Sequence, residues 1–148
     1  MQNKFMNEAV KQAKISLEND EVPVGAVIVK DNKIIAAAHN EKEKRGVATA
    51  HAEILAIEAA SKILGNWRLN GCSMYVTLEP CPMCAGAILQ SRISEVHIGT
   101  FDDVAGACGS VIDILGSRYL NSKAIVKWHY CDECSNLLSD FFKNSRHK

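Results

Sequence analysis

The chain has 148 residues, 47% of them hydrophobic and 23% charged, a balance that excludes a disordered tail or a coiled coil. Seventeen basic residues match seventeen acidic ones, so the chain does not hold a polyanion by bulk charge, although a local basic face is still allowed. No apolar run approaches the roughly 18 residues of a membrane span, and the first residues carry no apolar signal core. The expectation is therefore one cytoplasmic domain over residues 1–148 with no membrane partner. Six cysteines in such a chain are thiols or metal ligands before they are disulfides.

In chain order, Phe5, Met6, Ala9, Val10, Ala13 and Leu17 recur at helical spacing with Lys11, Gln12 and Lys14 between them, which predicts a helix ending at Asn19-Asp20. The apolar runs 24–29 and 34–38 flank Asp31-Asn32 and read as a hairpin. Their unbroken apolarity predicts strands covered on both faces. The charged stretch 41–45 leads to an Ala-rich helix from His51 that stops at Gly65. A strand follows at 73–78, a helix at 81–90 after Pro80, and a strand at 95–100. The long connection 101–123 holds a short predicted helix at 110–115, long enough in all for a crossover between parallel strands. A last strand at 124–128 and an amphipathic helix at 134–142, with Leu137, Leu138, Phe141 and Phe142 on its apolar side, complete the pattern. Alternating strands and helices predict an α/β domain, a mixed sheet with helices on its faces.

Two motifs carry chemistry: His51-Ala52-Glu53 and Pro80-Cys81-Pro82-Met83-Cys84. Cys81 and Cys84 stand three apart at a predicted helix start, so both sulfurs can reach one ion. Two thiolates and an imidazole favour Zn²⁺, and three protein ligands leave a tetrahedral position open for water. Helix N-termini also favour the thiolate form. Glu53 marks the site as catalytic, because a water bound to such an ion needs a base that later acts as an acid. Residues two apart on a helix diverge by about 200°, so His51 is placed at the helix entrance, before the backbone becomes helical. The two motifs in this order arise by chance in on the order of one chain in several thousand. That outweighs the bland alternative of small buried thiols and a helix-start histidine.

These motifs, together with Pro23-Val24-Gly25-Ala26-Val27, His39-Asn40, Tyr75-Val76-Thr77-Leu78-Glu79-Pro80, Ala85-Gly86-Ala87, Asp102, Gly106-Ala107-Cys108-Gly109-Ser110 and Glu133-Cys134, make the chain resemble the zinc-dependent nucleoside and nucleobase deaminases. Within that superfamily it is similar to the enzymes that convert the wobble adenosine of tRNA to inosine, and the Gly-Ala-x-Gly-Ser loop sets it apart from the free-base deaminases. The resemblance implies the cytidine-deaminase-like fold, a three-layer α/β/α arrangement around a five-stranded mixed sheet with helices on both faces. It implies one zinc per subunit on His51, Cys81 and Cys84, with Glu53 as the catalytic proton shuttle in the hydrolytic loss of the C6 amino group as ammonia. Asn40 and the backbone at Ala52 would hold the flipped nucleoside, Val24 and Leu78 would wall it, and Asp102 would lie by the substrate backbone. The implied partners are the anticodon stem-loop of an arginine tRNA and a second copy of the chain in a homodimer.

The family commonly carries a lysine where Val104 stands here. Phosphate contacts are therefore sought at Lys42, Lys44, Arg45, Lys62, Arg68 and a mobile basic tail over 143–148. Cys131 and Cys134 form a second Cys-x-x-Cys near His129, but a second zinc lacks a clear fourth ligand. Cys72 and Cys108 read as small core residues. Two other functions compete: a deaminase of the same fold acting on free guanine, cytosine or a nucleoside, and a non-catalytic zinc module binding RNA or protein.

Overall fold

Asn3 starts the first helix, α1 (Lys4–Glu18), by accepting hydrogen bonds on Oδ1 from the backbone N–H groups of Phe5 (2.8 Å) and Met6 (3.3 Å). The structure is a computed structural model that describes residues 3–145. β1 (Gly25–Lys30) and β2 (Lys33–His39) follow as an antiparallel hairpin. Asp31 and Asn32 both take positive φ, 51° and 64°, the conformation that suits the right-handed twist of a two-residue hairpin turn. α2 (Lys42–Arg45), α3 (Ala52–Leu64), β3 (Ser73–Leu78), α4 (Pro82–Ser91), β4 (Glu95–Thr100), a 3₁₀ turn at Arg118–Leu120, β5 (Ile125–Trp128) and α5 (Asp132–Ser145) complete the order. Gly65, at φ 63°, ends α3, and Pro82 supplies the first turn of α4, where its missing N–H costs nothing.

The sheet runs β2-β1-β3-β4-β5. β1 is antiparallel to β2 and β3, while β3, β4 and β5 are parallel. Alternation along the strands feeds two cores. Ala26 and Ile28 of β1 join Met74, Val76, Val96 and Ile98 beneath Ala52, Ala56 and Ala60 of α3 and Ala85 and Ile88 of α4. Val27 and Val29 join Tyr75 beneath Met6, Ala9 and Val10 of α1 and Cys134 of α5. The result is the expected three-layer α/β/α fold around a five-stranded mixed sheet.

Five expectations need correction. β1 is buried along its length, but β2 is an edge strand with alternating exposure, because among the described residues no further strand lies beyond it. No helix forms at 110–115. Cys108 bridges to Asp113 there, and Ser110 gives its N–H and hydroxyl to the carboxylate of Glu79. The stretch 41–45 contains the short α2, whose first N–H groups are held by a side chain distant in sequence, since Glu21 accepts from Glu43 N (2.9 Å) and Lys44 N (2.8 Å). Of the basic tail expected to be mobile, residues 143–145 belong to α5, and 146–148 lie outside the described residues. In α1 it is Ser16, not Leu17, that is fully buried. Its hydroxyl donates to the Asn40 carbonyl (2.9 Å), tying α1 to the turn after β2.

Beneath α1 and α5, His97 Nδ1 meets His129 Nε2 at 2.8 Å, with Tyr75 stacked on His97 and Glu95 on the other ring nitrogen at 3.2 Å. One ring must donate and the other accept, so the pair cannot hold together with both protonated. Burial holds both histidines below the usual imidazole value, helped at His97 by His129 and at His129 by Lys127. The unfolded chain therefore takes up protons first as pH falls, and the stabilisation is complete above the unfolded value and lost as pH drops through the folded ones. The urea midpoint should fall between about pH 7.5 and about pH 5.5. In His97→Gln this slope should be shallower, and an equal slope would remove the pair as its source.

Candidate active site

The C-terminal ends of the parallel strands β3 and β4 lie beside the start of β1, because β1 runs antiparallel to β3. Ligand sites of open α/β sheets form at such strand ends. Gly25 N donates to Thr77 Oγ1 (3.1 Å), and Asn40 N donates to the Val24 carbonyl (3.0 Å). Val24, Asn40, Leu78 and Asp102 thereby gather at one end of the sheet, and α3 and α4 both begin there.

His51 and Cys81 are the N-cap residues of α3 and α4, with extended backbone (φ −78°, ψ 151° and φ −73°, ψ 174°). The imidazole consequently leaves the chain before the helical spiral begins, which lets it share a site with Glu53 of the first turn. His51 Nδ1 lies 3.7 Å from Cys81 Sγ and 3.5 Å from Cys84 Sγ, and all three donor atoms fall within 4.8 Å of one another. Zn–S near 2.3 Å and Zn–N near 2.05 Å at a tetrahedral angle require an N···S separation of about 3.6 Å. The donor set thus has the spacing and chemistry of a zinc centre. The hydrogen bond from Cys84 draws the Cys81 thiol down to about 4, and the same bond pushes Cys84 up. Glu53, 4% exposed, is pushed up to about 7, chiefly by burial. A carboxyl group titrating near neutrality is suited to accept and return a proton.

His51, Glu53 and Cys81 line a cavity of about 220 Å³ together with Val22, Val24, Asn40, Lys42, Ala52, Leu78, Glu79, Asp102 and Ala105. Every residue expected at the site therefore borders this cavity except Cys84, which is fully buried behind it. Asn40 is held from two sides, its Nδ2 donating to the Val22 carbonyl (3.2 Å) and its Oδ1 accepting from Lys42 N (3.1 Å). One amide hydrogen remains for a ligand. Asp102 Oδ1 caps the turn behind it, accepting from Val104 N (2.9 Å) and Ala105 N (3.1 Å).

Among the basic candidates, Lys42 borders the cavity. Lys44 and Arg45 are engaged with Glu41 at 3.7 and 2.8 Å. Arg68 stacks on Trp67 before β3 begins, at the opposite end of the sheet, and Lys62 lies in a separate groove with Glu58 and Arg45. Val104 is 83% exposed. Among the described residues the His51, Cys81 and Cys84 trio is the one group of its kind. At the second Cys-x-x-Cys, Cys134 N donates to Cys131 Sγ (3.3 Å) within the core, and His129 turns to His97. Cys72 and Cys108 are buried as expected.

Sequence reasoning assigned no role to Val22, Ala105, Glu21 or Glu79. Glu79 is the most consequential of these. It is 2% exposed, and its carboxylate accepts from Asp102 N (3.0 Å), Cys108 N (2.9 Å), Ser110 N (3.1 Å) and the Ser110 hydroxyl. The available signal was an acidic residue directly after an apolar strand and before Pro80, where a charge stays buried only with partners.

A family model described as MafB19-like deaminase matches residues 1–146. The chain is 47% identical over 145 residues to the tRNA-specific adenosine deaminase of Bacillus subtilis (strain 168), covering 97% of this chain and 90% of that one. A solved structure from work on A-to-I editing by tRNA:A34 deaminases at the wobble position of transfer RNA superposes with a TM-score of 0.87 at 38% identity, covering 90% of this chain and 98% of that one. The guanine deaminase of Bacillus subtilis is 40% identical with a TM-score of 0.64, over 68% of this chain and 66% of that one.

Proposed function

Because the chain belongs to the MafB19-like deaminase family, we propose that it is a zinc-dependent tRNA adenosine deaminase, converting the wobble adenosine of an arginine tRNA to inosine with release of ammonia. The carrying observation is that a donor trio of zinc spacing and the buried carboxyl of Glu53 meet in one cavity. Its volume is below that of drug-sized sites and suits one base, not a whole folded RNA element. Such a site demands a nucleotide swung out of its stack, as unpaired loops allow. On this reading the enzyme acts in the cytoplasm as a homodimer, with the anticodon loop touched by both subunits. No helix among the described residues is long and apolar enough to cross a membrane.

His51, Cys81 and Cys84 would hold the zinc, which when bound supplies a nucleophilic water at neutral pH by lowering its pKa. Val24 and Leu78 press on the faces of the base, and Asn40 donates its remaining amide hydrogen to the nucleoside. The backbone at Ala52 fixes the base edge. Glu53 takes one proton from the attacking water and delivers it to N1 of the purine, then takes the remaining proton of that water from the new C6 hydroxyl and passes it to the departing C6 amine. Water supplies the oxygen of inosine, and the amino group leaves as ammonia. Placing Glu53 on the first turn of α3, two residues beyond the helix entrance at His51, keeps it beside the donor trio without making it a member.

The test offers the zinc-loaded protein an anticodon stem-loop carrying wobble adenosine, alongside free adenosine, guanine and cytosine. Inosine should form in the stem-loop alone. Deamination of a free base with an untouched stem-loop would transfer the assignment to the free-base enzymes. No turnover of any substrate by zinc-loaded protein would leave a binding module.

A further inference from the structure

We propose that Glu79 is a positioning residue for substrate: its buried carboxylate suspends the loop 102–110 and thereby sets how tightly the cavity grips the nucleotide around the reacting base. The inference rests on the deaminase reading for its substrate, but the loop it describes can be observed without turnover. Glu79 follows β3 directly, and its own N–H donates to the Thr100 carbonyl (2.9 Å), anchoring it across the sheet. Its two oxygens then collect four donors from three residues of one loop, Asp102, Cys108 and Ser110. The loop closes on the carboxylate with no space to spare, since a Cβ at Gly106 would collide with both that carboxylate and the Asp102 carbonyl.

The loop has a second attachment. Ala107 N donates to the Pro80 carbonyl (2.9 Å), directly before the ligand Cys81. On its other side the loop presents Asp102 and Ala105 to the cavity. Asp102 repeats the device on a smaller scale, since Glu79 holds its N–H while its own carboxylate holds Val104 N and Ala105 N. Two nested carboxylates therefore determine where the cavity wall stands. The loop's bonds stop at the Pro80 carbonyl and include neither the Cys81 nor the Cys84 sulfur, and Cys81 and Cys84 are themselves placed by the start of α4. Loosening the loop should consequently weaken the hold on substrate more than it slows the chemistry.

The experiment uses the full zinc-loaded chain with Glu79→Gln and, separately, Ser110→Ala. The first puts an amide nitrogen where donors converge, and the second removes one hydroxyl donor. Zinc per chain should match the parent in both. Backbone amide exchange at Asp102, Cys108 and Ser110 should speed up by about tenfold or more in Glu79→Gln. KM for the stem-loop should rise about tenfold while kcat stays within about threefold. Ser110→Ala should move KM the same way by a smaller factor. Unchanged exchange and KM would overturn the proposal, as would equal loss of kcat and zinc, which would mark Glu79 as merely structural. If Glu79→Gln fails to fold, Ser110→Ala decides alone, and an unaltered KM there would refute the role. If the parent leaves the stem-loop untouched, the deaminase reading falls while the exchange measurement still judges the loop.

Discussion

Glu53→Gln should lower turnover of the stem-loop by about 10²–10⁴-fold, the range for loss of a general acid–base, while the protein keeps its zinc. The substitution is close to isosteric, and the side chain is 4% exposed, so packing around α3 is preserved. What disappears is the ability to accept and release a proton at a group that titrates near 7. The donor trio does not include Glu53, and metal content should therefore stay at the parent's value. Single-turnover rates with a parallel zinc determination would decide. Turnover within about threefold of the parent would remove Glu53 from the chemistry, and loss of zinc would mean that it supports the metal instead.

Gly25→Ala should destabilise the fold by about 3 kcal/mol, near the upper end for overpacking a core. Gly25 opens β1 directly beneath α1, and a Cβ there would collide with the Ala9 carbonyl and the Ala13 N–H and would stand 2.7 Å from Gln12 Cβ. These obstacles are helix backbone and the root of a side chain, so no rotamer change relieves them. α1 would have to lift, separating Met6, Ala9 and Val10 from Val27 and Tyr75. For a domain whose total stability is about 5–15 kcal/mol, that is a large fraction. Urea denaturation would show it as a lower midpoint. An unchanged midpoint would mean that α1 does not ride on the strand as closely as described.

The fold was legible where local pattern and tertiary need agree. The start and end of β4, the Asp31-Asn32 turn and the Gly65 stop of α3 each follow from residue chemistry that acts within a few positions. The donor trio was legible for a similar reason: His51, Cys81 and Cys84 lie in short motifs whose spacing confines the donor atoms, and the helix-entrance placement of His51 follows from helical geometry. What stayed hidden depends on partners distant in sequence. The apolar residues Val111, Ile112 and Ile114 suggest a helix at 110–115, yet the Ile114 N–H that would close its first turn on Ser110 donates to the Ala107 carbonyl, in a loop that Glu79, about thirty positions earlier, holds through Ser110. α2 is similarly held by Glu21 from 22 positions away. Ser16 displaces Leu17 from the core because it finds an acceptor on Asn40, and no periodicity records a single long-range hydrogen bond. The basic candidates were indistinguishable in sequence because their roles depend on which end of the sheet each one faces.

The Ser16 hydroxyl has an effect beyond packing. It is a rivet through the sheet's margin: α1 lies on the layer opposite α3 and α4, yet one bond from it fastens the carbonyl of Asn40, whose side chain borders the cavity. Substitutions of α1 that displace Ser16 should therefore also shift Asn40 at the cavity mouth.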